Sequence, residues 1–210
     1  MSDDLEAIRN RVLTELRAQP RARLWWREAL AVVAVCVGVT VVVLVGSSWQ
    51  PHPGFGDPEW WIGFFLLAGV MGGGSLIAIA PQQRRHKIFN VVAVAVLTLM
   101  AIVIVGTHML MLSQPQTSFY ADAECFLVEV GVSLVPGIAM VMALRRFAMR
   151  RLAALCGGLA AGACGMIVLH LACHVPSLSH WLVFHLLPYA LVVVIVVFVR
   201  ARLDSHSAAP

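Results

Sequence analysis

Charge is what this sequence has least of. Only 12% of its 210 residues are Asp, Glu, Lys or Arg, against 60% apolar residues and a mean hydropathy of +0.85. A soluble domain of this length cannot cover itself with so few charges. Catalytic signatures are missing too: there is no HExxH, no GxSxG, no Gly-rich phosphate loop and no pair of spaced catalytic carboxylates. These absences argue against the common hydrolase, metalloprotease and nucleotide-dependent classes. No internal repeat and no interrupted helix pair is present, so the inverted-repeat transporters find no support either.

What the sequence has instead is apolar runs. A helix crossing about 30 Å of hydrocarbon takes roughly 20 residues, and six runs qualify: 29–46, 61–80, 89–109, 126–144, 152–173 and 181–199. The expected fold is all-α, a polytopic bundle of six transmembrane helices. It divides into an N-terminal arm (1–28), a membrane domain (29–200) and a tail (201–210). The first run follows a polar segment and has no small-residue cleavage site, which reads as a retained helix.

Basic residues orient the chain. Arg9, Arg11, Arg17, Arg21, Arg23 and Arg27 precede the first run; Arg84, Arg85 and Lys87 fill the second connection; Arg145, Arg146, Arg150 and Arg151 the fourth; Arg200 and Arg202 the tail. The first, third and fifth connections have none, and hold Asp57, Glu59, Asp122 and Glu124. Cytoplasmic loops retain Lys and Arg, so both termini are expected in the cytoplasm. The net charge of +4 is then spent on topology, and no direct nucleic-acid partner is implied.

Small residues four apart, Gly69 and Gly73 in the second run and Gly157, Ala161 and Gly165 in the fifth, predict close helix contacts. Pro136 and Pro188 predict bends.

Chemistry concentrates in LHLACHVPSLSHWLVFH, residues 169–185, on the expected outer side. His170, Cys173 and His174 recur at spacings of three and four, which places them on one helical face; His185 lies one turn into the sixth run. Cys125, Glu129 and His108 reach the same depth from other helices. A candidate transition-metal site follows: His170, Cys173, His174 and His185, with Cys125 nearby. Cys125 and Cys173 suit either a disulfide in an oxidising compartment or metal ligation, and the spacing does not choose between them. A carboxylate inside the bilayer costs several kcal/mol unless paired, so Glu129 is expected to have a partner, with a histidine the obvious one. His52 and His180 read as interfacial residues, and Trp25, Trp26, Trp60 and Trp61 as interfacial anchors. Cys36, Cys156 and Cys164 read as small apolar side chains. Haem would need histidines facing one another across helices, and of those near a membrane run only His86, in the basic loop, lies on the inner side, with His206 in the tail beyond the last run.

The arm MSDDLEAIRNRVLTELRAQP predicts a short amphipathic helix. Leu5, Ile8, Val12 and Leu16 recur at helical spacing after Ser2, Asp3 and Asp4, and Pro20 ends it. Its mixed-charge polar face fits a partner's groove at least as well as a lipid surface.

Together, DDLEAIRNRVLTELRAQP, IAPQQRR, CFLVEVGVSLVP, ALRRFAMRR, GGLAAGACG, LHLACHVP and HWLVFH resemble the NrsF-like six-helix membrane proteins, anti-sigma factors for extracytoplasmic-function sigma factors. The resemblance implies that the arm holds a sigma factor at the bacterial inner membrane. It also implies that outward cysteines, by position Cys125 and Cys173, sense an envelope signal such as metal, oxidative or light-driven singlet-oxygen stress. The soluble anti-sigma motif HxxxCxxC does not occur. The alternative is a metal- or haem-binding redox membrane protein.

Overall fold

The structure, a computed structural model, describes Glu6 and residues 25–46, 53–80, 84–111, 119–144, 150–173, 175 and 177–207. The amphipathic arm with Leu5, Ile8, Val12 and Leu16 lies outside the described residues, as do His52 and His174. The described residues are helical with no strand: α1 (Trp25–Gly46), α2 (Pro58–Ile79), α3 (Arg84–Met111), α4 (Phe119–Leu144), α5 (Arg150–Ala172) and α6 (Leu178–Ser207). A short 3-10 turn, Pro53–Gly56, precedes α2. Six of these helices are long and apolar enough to cross a membrane, which makes this a multi-pass membrane protein.

Six alternating crossings put the start of α1 and the end of α6 at one end of the bundle, here the terminal end. The loops carrying Asp57 and Val175 then fall at the opposite, far end. Contacts agree with this. Lys87, opening α3, donates from Nζ to the carbonyls of Ala78 (3.1 Å) and Ala80 (3.3 Å) and so caps the last turn of α2 at the terminal end. At the far end, His108 Nε2 closing α3 lies 3.8 Å from Asp57 Oδ2 just ahead of α2.

Helix α5 is the axis around which the others pack. Of its most apolar eighteen residues 89% are buried, against 17–44% for the other five helices. It contacts α1, α2, α3, α4 and α6, most extensively α2, α4 and α6. Lipid tails are as apolar as leucine, so helices in a bilayer gain by close approach more than by hiding apolar surface. The stretch GGLAAGACG permits that approach. A Cβ on Gly158 would sit 3.0 Å from Val193 Cα of α6, and one on Gly165 only 2.8 Å from the backbone oxygen and Cγ of Glu129 on α4. Ala161 is buried against Val192 and Val196 of α6.

In α2 the expected contact pair is wrong. Gly69 is exposed, and a Cβ on Gly69 or Gly73 would meet nothing within 4 Å. The α2 glycines at close contacts are Gly63, against Val105 and His170, and Gly74, whose Cβ would lie 3.1 Å from Ala160 Cβ and from the Cys156 carbonyl oxygen. Trp60 departs from expectation in the same way. It is fully buried and stacks on His170, with centroids 4.7 Å apart, while Trp26 and Trp61 remain exposed.

Pro136 lies within α4. Ahead of Pro188, α6 widens into one π-helical turn, Leu182–Leu186, with Leu187 N–H bonded to the Leu182 carbonyl. Proline has no N–H for the preceding turn and its ring crowds the carbonyl four residues back. A turn with one residue more than an α-helix makes room for it.

Candidate functional site

Four ligand-bearing side chains converge at the far end, drawn from three helices. Cys125 lies in the second turn of α4, Cys173 directly follows α5, and His180 and His185 open α6. Cys173 N–H still bonds the Leu169 carbonyl at 2.7 Å, so the residue is held in line with the helix it follows. All four candidate ligand atoms lie within 4.8 Å of one another. Cys125 Sγ is 3.8 Å from Cys173 Sγ, Cys173 Sγ is 3.4 Å from His180 Nε2, and the two Nε2 atoms of His180 and His185 are 3.1 Å apart. Neither cysteine is in a disulfide. Cys173, His180 and His185 are 3–5% exposed and Cys125 is half-buried, so access to the cluster runs past Cys125.

The π turn builds the histidine half of this arrangement. At about 100° per residue, side chains five apart on an α-helix diverge by roughly 140°. The i to i+5 hydrogen bonding of a π turn brings such residues over one another. His180 and His185, five apart, thereby aim their Nε2 atoms at one centre instead of at two neighbours.

The expected ligand set is thus partly redistributed. Cys125, Cys173 and His185 come together; His174 lies outside the described residues. His170 does not join them. Its Nε2 is 2.9 Å from the Trp60 carbonyl oxygen, and its ring stacks on Trp60. His180, expected as an interfacial residue, is buried and sits between Cys173 and His185. Its signal in the sequence was the pairing HWLVFH three residues ahead of Pro188.

Glu129 also departs from expectation. It is fully buried on α4, one turn beyond Cys125, and no hydrogen-bond partner reaches either carboxyl oxygen among the described residues. His108, closing α3 at the same end, places its Nε2 3.8 Å from Asp57 Oδ2. Deeper in the bundle, Cys164 Sγ of α5 lies 3.5 Å from the Cys36 carbonyl oxygen and 3.7 Å from Thr40 Oγ1, a polar seam between α5 and α1.

Chemically, the cluster has two thiols and two imidazoles, three of these four groups buried, and no open substrate cleft among the described residues. That suits binding or sensing better than turnover. The histidines stand side by side on one helix, not on opposite walls of a gap that admits a porphyrin. A family profile described as "NrsF: Negative regulator of sigma F" matches residues 13–203, nearly the whole chain. No curated protein and no solved structure matches it.

Proposed function

The chain belongs to the NrsF family, negative regulators of sigma F, and we propose that it is a membrane-held anti-sigma factor. In this reading its cytoplasmic N-terminal arm sequesters an extracytoplasmic-function sigma factor at the bacterial inner membrane, through the face formed by Leu5, Ile8, Val12 and Leu16. An envelope signal of metal, oxidative or singlet-oxygen chemistry is received at the cluster around Cys125 and Cys173 and releases the factor. Family membership carries the sequestration. The convergence of four ligand groups from three helices, three of them buried, carries the sensing end.

The distribution of charge supports the orientation. All fifteen basic residues belong to the arm, two alternate connections and the tail, which is the cytoplasmic pattern. The cluster then faces the envelope, and α1 is the element that joins the arm to the bundle. Helix α1 packs on α2, α4 and α5, two of which, α4 and α5, bring cysteines to the cluster. A signal that favours one α4–α5–α6 arrangement over another therefore alters the surface on which α1 rests. Such a signal acts only through a difference in affinity for the two arrangements.

Co-purification tests the reading. The full-length protein and a peptide of residues 1–24 are each expected to capture an extracytoplasmic-function sigma factor. Failure of both to capture it overturns sequestration. The second reading, a metal- or haem-binding redox membrane protein, is favoured only by the ligand cluster itself, and a Soret band or a redox-active metal in the purified protein would support it.

A further inference from the structure

The geometry points to a closed tetrahedral site for one divalent d10 cation, with zinc the type case, ligated by Cys125 Sγ, Cys173 Sγ, His180 Nε2 and His185 Nε2. The observation is metric. With Zn–S near 2.3 Å and Zn–N about 2.0–2.1 Å, a regular tetrahedron has edges of about 3.8 Å between sulfurs, about 3.4 Å between nitrogens and about 3.5 Å between sulfur and nitrogen. The corresponding separations here are 3.8, 3.1 and 3.4 Å. Three of the six edges of the cage are thus already sized for the ion, and all four atoms lie within 4.8 Å of one another.

Charge selects the ion. Ligation converts two thiols to thiolates and releases two protons to the aqueous face beside Cys125, while both imidazoles bind neutral. Two thiolates and a dication sum to zero. A monovalent d10 ion such as Cu(I) in the same cage leaves one uncompensated negative charge, which is costly where three of the four ligands are buried. Tetrahedral S2N2 coordination is in addition the geometry that zinc prefers. The site is closed, with four protein ligands and no vacant position, so the ion here is a signal or a clamp and not a catalyst. Because the ligands come from α4, from the residue following α5, and from α6, one ion ties three helices together at a single point.

This names the ligand of the sensing cluster and rests on the reading of that cluster as the receiving end. The test uses the full-length protein purified in detergent, with no sigma factor present. One zinc per chain is expected by elemental analysis. Cobalt loaded in its place is expected to show the visible ligand-field bands of a tetrahedral site and a thiolate-to-cobalt charge-transfer band. His180→Gln and Cys125→Ser are each expected to weaken zinc binding by more than about 100-fold, the upper end of what loss of a mere supporting contact does. His108→Gln and His170→Gln are expected to keep it, and the cobalt spectrum of the unsubstituted protein guards against a variant that fails to fold. Octahedral cobalt bands, stoichiometric Cu(I) with no zinc uptake, or zinc binding indifferent to His180→Gln overturns the proposal. Such a result leaves sequestration untouched, just as failure of sigma-factor capture leaves metal binding untouched.

Discussion

Gly165→Ala adds one methyl group to the tightest point between α4 and α5. The new Cβ would lie 2.8 Å from both the backbone oxygen and Cγ of Glu129, and closer still to Ser133 Oγ. An ordinary contact needs about 3.5 Å or more, so the two helices must part by roughly 0.7 Å. Ser133 Oγ can rotate aside, but the Glu129 backbone cannot. Overpacking of this kind costs about 1–3 kcal/mol, and at about 2–4 °C per kcal/mol for a chain of this size the melting temperature in detergent should fall by several degrees. The same shift carries Cys125, one turn from Glu129, away from Cys173, so zinc affinity should fall with it. Gly69→Ala is the matched control. A Cβ there meets nothing within 4 Å, and alanine is intrinsically better than glycine in a helix by up to about 1 kcal/mol, so no loss is expected. Thermal unfolding followed by intrinsic fluorescence, with zinc titration of each variant, reads both effects. Equal melting temperatures for the two variants, or a larger loss at Gly69, would refute the packing argument.

Other substitutions probe single contacts. Lys87→Met removes the cation that donates to Ala78 and Ala80, and a charged hydrogen bond is worth about 1.5–3 kcal/mol; earlier protease cleavage between α2 and α3 is the expected readout. Tyr189→Phe deletes the 3.2 Å bond from its hydroxyl to the Leu159 carbonyl between α6 and α5, which should cost about 1 kcal/mol and leave zinc stoichiometry at one. Pro188→Ala restores an N–H and lets α6 continue as a regular helix, so His180 and His185 should part and zinc binding weaken, as measured by competition with a chromophoric chelator.

Most of the architecture was legible because lipid imposes simple rules. Six apolar runs gave six helices, differing mainly at their ends, where Trp25, Pro58, Arg84 and Phe119 start helices earlier than hydropathy alone suggests. The face of each helix was less legible. Gly69 and Gly73 share a face, but the spacing carries no information about whether that face meets a helix or lipid. His170 and Cys173, three apart, differ by only roughly 60° around the axis. On a surface helix that is one face; on α5, ringed by five neighbours, it is the difference between Trp60 of α2 and the cluster with α4 and α6. His180 was hidden for another reason. A spacing of five is uninformative on an α-helix and becomes a ligand pair only through the π turn ahead of Pro188. Glu129 invited a histidine partner by depth, yet the described far-end histidines turn elsewhere: His108 toward Asp57, His170 to the Trp60 carbonyl, and His180 and His185 to one another.

The most direct test of the account is capture of the sigma factor by the full-length protein in lipid nanodiscs, read with and without stoichiometric zinc at the far-end cluster. Zinc is expected to lower the bound fraction for the unsubstituted chain and to have no effect on Cys125→Ser or His180→Gln, which should hold the factor throughout. Capture that ignores zinc in the unsubstituted chain, or that responds equally in the ligand variants, would contradict it.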